Sequence, residues 1–219
     1  MTKKILILAV IILFLVVGYI VTIHQNQNNV INNSNQPQPI ATVNTTSTNL
    51  PLASQLLPPI SQAAIRITKK PFGIKVSPQN SPVQPERFSG YHTGVDFETF
   101  PSEANIDVPV MAITGGKIIY QQWVSGYGGV VIQSGTINGQ TVTILYGHLN
   151  ISSVKQKIGD TIAAGDQIAV LGQGHSRQTD GERKHLHLGI HLGTKIDLLG
   201  YIQNQTELSG WLDWQSLVK

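Results

Sequence analysis

Residues 185–192 read HLHLGIHL, and this stretch narrows the fold further than any other part of the chain. A β-strand sends successive side chains to opposite faces, so the segment sorts itself in two. His185, His187, Gly189 and His191 fall on one face, and Leu186, Leu188, Ile190 and Leu192 on the other. One face is apolar enough to bury; the other gathers three of the seven histidines of the chain. A half-exposed strand with surface histidines would also account for a lone His-x-His pair, so the remaining sequence must decide between the two readings.

That sequence has the texture of a sheet. VPVMAIT (108–114), GKIIYQQWV (116–124), GGVVIQS (128–134), TVTILYG (141–147), DTIAAG (160–165) and QIAVLG (167–172) are rich in β-branched residues and bounded by Gly, Asn or Asp. Asn138-Gly139 is the pair that closes a tight hairpin. Only ELSGWLDWQSLVK (207–219), with Trp211, Trp214 and Leu217 near helical spacing, predicts a helix, its tryptophans serving as packing. A mainly β domain is therefore expected over 66–219.

The N-terminal part differs. Residues 5–23 form an uncharged apolar run behind Lys3 and Lys4, long enough to cross a hydrocarbon core of ~30 Å as a helix. The lysines favour a cytoplasmic end at residues 1–4, so the chain after residue 23 is expected outside the cell. A cleaved signal peptide, with a secreted product, is the alternative, although no A-x-A-like site stands near residue 23. Residues 24–65 contain no Asp, Glu, Lys or Arg, and Asn, Gln, Thr, Ser and Pro dominate up to residue 60; this predicts a disordered tether. With no cysteine, the exported domain has neither disulfides nor a thioether-linked lipid. The formal charge of +3 includes the two leading lysines, leaving that domain close to neutral, and no nucleic-acid partner is expected.

Chemistry concentrates in three places. GYHTGVDF (90–97) holds His92 and Asp96 on either side of Gly94, where a bend rather than a helix could bring imidazole and carboxylate onto one ion. YGHL (146–149) presents His148 at a strand end, and the third place is HLHLGIHL. Catalytic zinc takes three N or O ligands and leaves a fourth position for water, a count that His, Asp and His from distant segments would meet.

Together these residues resemble the LytM/lysostaphin-like zinc metallopeptidases, which cut peptide links in bacterial peptidoglycan. The likeness runs through PFGIKVSP, HTGVDF, VPVMAITGGKIIY, GYGGVVIQ, LYGHL, IGDTIAAGDQIAVLGQG and HLHLGI, over roughly 71–192. The resemblance implies an antiparallel β-sheet groove with one Zn2+ on its floor, held by His92, Asp96 and His187, with His185 and His148 as catalytic histidines. It also implies peptidoglycan stem or cross-link peptides as substrate. Strand geometry accommodates this division, because positions two apart on one face lie about 6.5–7 Å from each other and cannot both be undistorted ligands of one ion. Where family members often carry a short Gly/Ser/Thr turn and a proline before His-x-His, this chain has GQGHSRQTDGERK (172–184), expected to be a solvated charged loop or else a substrate reader. Tyr91, Tyr127 and Tyr146 are candidates for supporting an oxyanion. His191, about 13 Å along the strand from His187, is expected at the surface, and His175 lies outside the motifs.

Two other readings compete. A catalytically inactive domain of this fold would bind and activate a partner hydrolase, but all five motif positions are filled. The hairpin IGDTIAAGDQIAVLGQG also resembles biotinyl/lipoyl-like carriers, which need a lysine displayed at a tight turn; Lys155 and Lys157 precede the hairpin instead.

Overall fold

The computed structural model describes residues 56–219. The apolar span at 5–23 and the tether up to residue 55 lie outside the described residues, among which no helix is long and apolar enough to cross a membrane. In order, the strands are β1 (Lys75–Val76), β2 (Gly90–His92), β3 (Gly94–Glu98), β4 (Pro109–Met111), β5 (Gly116–Val124), β6 (Gly128–Ile137), β7 (Gln140–Leu149), β8 (Thr161–Ile162), β9 (Gln167–Val170), β10 (His185–Leu192) and β11 (Tyr201–Ile202), with a one-turn helix α1 (Trp214–Leu217). All strand pairing is antiparallel. The groove expected as one sheet is built from more than one: β3-β10-β7-β6-β5-β8 forms the main sheet, β1-β2-β11 a second, and β4-β9 a pair. The physical reason lies at Thr93, a buried bend between β2 and β3. Its N–H donates to the Gly200 carbonyl and its hydroxyl to the Leu199 carbonyl, so the chain leaves one sheet there and enters the next.

The alternation in β10 operates as the sequence suggests. Leu186 opposes Phe97, Leu188 opposes Val95 and Tyr146, and Ile190 opposes Ile144, all buried in one core. Each fully buried side chain of this size contributes roughly 1.5–3 kcal/mol. On the other face, His187 stands opposite Asp96 on one side and Gly147 on the other. A smaller apolar cluster of Tyr127, Val130, Ile132 and Leu145 adjoins it. The β6–β7 hairpin turns through Asn138 and Gly139 at φ 49° and 77°, the doubly left-handed turn that matches strand twist.

Two further expectations are corrected. Residues 56–65, assigned by sequence to the tether, belong to the domain: the Leu57 N–H donates to the Ile113 carbonyl, the Met111 N–H to the Pro59 carbonyl, and Ile60 and Ala63 are buried. Lack of charge marked this piece as tether, but LLPPISQAAI is apolar where the preceding stretch is amide-rich, and apolar surface buries. The C-terminal helix is also shorter than expected, because Gly210 ends a 3-10 turn and Asp213 caps α1 only at Trp214. Trp211 instead bridges His191, and Trp214 packs edge-on against Phe97.

The segment before β1 closes the outer edge of β3. The Asp96 N–H donates to the Lys70 carbonyl and the Glu98 N–H to the Arg66 carbonyl. Lys70 is itself buried, its ammonium bonded to Glu86 and to the Tyr201 hydroxyl.

Candidate metal centre

The bend at Thr93 and the register of β3 against β10 bring His92, Asp96 and His187 to one point, all buried. His92 Nε2 lies 3.0 Å from His187 Nδ1, His187 Nδ1 lies 3.1 Å from Asp96 Oδ1, and Asp96 Oδ1 lies 3.2 Å from His92 Nε2. Ligands around tetrahedral zinc at ~2.0–2.1 Å stand about 3.3–3.4 Å apart, so the triangle fits the ion to within a few tenths of an ångström. The chemistry fits as well. His92 Nδ1 faces the Pro71 carbonyl, an acceptor only, so the proton of a neutral ring sits there and Nε2 turns its lone pair inward. Burial pushes His187 down to about 4, against the hydrogen bond with Asp96, which keeps this imidazole neutral at ordinary pH. Burial opposes ionisation of Asp96, yet His185 and His92 beside it hold its carboxyl well below the usual range. Converging lone pairs and a carboxylate form the donor set a borderline cation takes.

His185 and His148 flank this trio. His185 Nδ1 lies 2.9 Å from the Arg183 carbonyl, and its Nε2 points inward, 3.3 Å from Asp96 Oδ2. His148 stacks at a tilt on His185, ring centroids 4.1 Å apart. Simple alternation would turn His148 away, since Gly147 shares the face of His187; a left-handed backbone at His148, φ 60°, re-aims it. Its Nδ1 is buried with no partner among the described residues. Burial and then the neighbouring His185 hold His148 well below the ordinary imidazole range.

The three tyrosine candidates separate. Tyr146 lies in the core, its hydroxyl accepting from the Ile113 N–H and donating to Gln133. Tyr91 occupies the strand position beside His92, half-buried under Lys75. Tyr127 adjoins the site, its ring centroid 5.2 Å from that of His187 and 5.5 Å from that of His148, and its buried hydroxyl has no partner among the described residues. Sequence reasoning missed Tyr201, opposite His92 in register with its ring 5.2 Å away; a two-residue strand leaves no periodic signal. It also missed Arg183. The 172–184 loop is only partly the solvated connection expected, because Arg183 bonds Asp96 and Glu98, and the Lys184 ammonium donates to the carbonyls of Glu103 and Ile106. His175 stays apart, its ring beside the Gly181 carbonyl. His191 corrects the surface expectation: it is half-buried, edge-on to Trp211.

Residues 90–198 match Peptidase family M23. Endolysin 2638A of Staphylococcus phage 2638A is 33% identical over 123 residues, covering 55% of this chain and 23% of the relative. An uncharacterized protein of Haemophilus influenzae is 34% identical over 103 residues, 46% of this chain and 22% of its own length. The chain thus spans less than a quarter of either curated relative. Among solved structures, the catalytic domain of lysostaphin from Staphylococcus simulans has a TM-score of 0.45 at 24% identity, over 68% of this chain and 88% of that one. LytU has a TM-score of 0.43 at 26% identity, over 68% and 80%. The matched span begins at β2, runs past β10 and contains all of His92, Asp96, His148, His185 and His187: the chain belongs to peptidase family M23, the LytM/lysostaphin-like family.

Proposed function

We propose that this chain is a zinc endopeptidase that hydrolyses peptide bonds of peptidoglycan, held at the outer side of the membrane by residues 5–23. One observation carries the reading: two imidazole nitrogens and a carboxylate oxygen converge within 3.0–3.2 Å of one another, with two further imidazoles beside them. His92, Asp96 and His187 would hold the ion. When bound, zinc supplies Lewis-acid polarisation of a carbonyl and brings the acidity of water toward neutrality. His185, fixed by the Arg183 carbonyl, and His148, fixed by its left-handed backbone, provide the proton traffic. One of the pair accepts the proton of the attacking water and returns it to the leaving amine, while the other donates to the oxygen that gains charge. The unpartnered Tyr127 hydroxyl is a further donor beside them. Family membership and the endolysin relative support peptidoglycan as the substrate. The uncharged run at 5–23 behind two lysines supports the anchor.

The test uses the full chain in detergent with purified peptidoglycan and mass analysis of the released fragments. Fragments with new amine and carboxyl ends are expected. His92→Ala and His187→Ala should lose both zinc and activity, whereas His185→Ala and His148→Ala should keep zinc and lose most turnover. Intact peptidoglycan beside a zinc-loaded wild-type chain would replace this reading with a non-catalytic domain that binds and activates a cell-wall hydrolase.

A further inference from the structure

Arg183 stands where the charged loop meets β10. Its Nη2 donates to Asp96 Oδ2 at 2.9 Å and to Glu98, and its Nε lies 3.0 Å from both Glu98 oxygens. The side chain is 12% exposed, so these are sheltered, charge-assisted bonds. Asp96 thereby divides its labour. Oδ1 faces His92 and His187, and Oδ2 is taken by Arg183, with His185 alongside. Glu98 lies on the same face of β3, opposite His185. Without the guanidinium, Asp96 Oδ2 would keep only His185 beside it and Glu98 only the exposed Lys69 ammonium, 3.3 Å from its Oε2, and zinc accepts carboxylate oxygen and can expand to five ligands.

We infer that Arg183 is a positioning residue that confines Asp96 to single-oxygen ligation, leaving one vertex of the metal for water and substrate. The inference rests on the metal-centre reading above. The planar guanidinium fork is what the task needs, because it grips two carboxylates in fixed geometry where an ammonium offers a point charge. A fixed cation beside the site also repels zinc, against its geometric benefit. The discriminating readout is therefore the coordination sphere rather than affinity.

X-ray absorption at the zinc edge would be recorded on the full chain in detergent, as wild type, Arg183→Gln, Arg183→Lys and Asp96→Ala. Both Arg183 variants should keep zinc, gain about one light-atom ligand and lose about 10–100-fold in peptidoglycan turnover, the range for groups that orient metal ligands. Arg183→Lys preserves the charge and carries the test alone if Arg183→Gln fails to fold. An unchanged ligand count in the folded Arg183 variants, with zinc held by wild type and lost from Asp96→Ala, would overturn this inference and leave the metal-centre reading intact. A wild-type chain that takes no zinc, or an Asp96→Ala chain with an unaltered sphere, would overturn both.

Discussion

Adding one methyl group at Gly147 should destabilise the domain through a single ring. Gly147 lies opposite His187 on the face of the metal centre, and a Cβ there would stand 2.6 Å from Tyr127 Cδ1, 3.1 Å from Cε1 and 3.4 Å from His187 Cβ. Carbon–carbon contacts are favourable near 3.5–4.0 Å, so the ring must retreat by about 1 Å. Its retreat is limited by the Gly200 backbone, which lies so near the hydroxyl that a Cβ there would stand 2.6 Å from it. The ring is wedged between two glycines. Overpacking of this kind costs about 1–3 kcal/mol, which lowers the melting temperature by roughly 2–12 °C for a domain of this size. Tyr127→Ala should cost more by itself, about 3–5 kcal/mol, through the emptied space. Once the ring is gone, Gly147→Ala should cost almost nothing. Urea denaturation of the wild type, both single variants and the double variant, all with chelator, measures the coupling. Penalties that add to within about 0.5 kcal/mol would show that the ring is not the obstacle and refute the reasoning.

Two further outcomes follow from burial. The metal-free chain should lose stability in acid: buried His187 titrates at about 4, below the ~6.5 of an unfolded chain, so the unfolded state binds more protons between those values. That contribution is complete above about pH 6.5 and disappears as pH falls through about 4, a loss of about 3 kcal/mol between pH 7 and pH 4 in urea melts. His148, shifted in the same direction, adds to the loss, and a flat profile would contradict the assignment of a buried neutral ring. Ile60→Ala should cost about 2–5 kcal/mol in the same melts, as for a core residue, since Ile60 is 1% exposed; a tether residue would register almost nothing.

The sequence carried what is periodic or local. Alternation in HLHLGIHL separated the core face from the ligand face, GKIIYQQWV marked β5 from end to end, and Asn138-Gly139 located a hairpin. The elements not legible depend on register between distant strands or on a single backbone angle. Nothing local in GERK places the Arg183 guanidinium on a carboxylate 87 residues away, and nothing in LLGYIQN places Tyr201 against His92. His148 was recognisable as a strand-end histidine, but the left-handed turn that aims it at His185 breaks the alternation rule that served β10. Residues 56–65 were misassigned because composition reports average polarity, while Ile60 and Ala63 are buried individually.

The chain alongside β3 also restricts how a peptide can approach the cluster. With the outward N–H groups of Asp96 and Glu98 already donating to Lys70 and Arg66, that margin is closed to strand addition, the mode in which a bound peptide is gripped through its main chain. Under the proposed function, a substrate peptide would be gripped elsewhere than at this margin, through side-chain contacts rather than by pairing with β3.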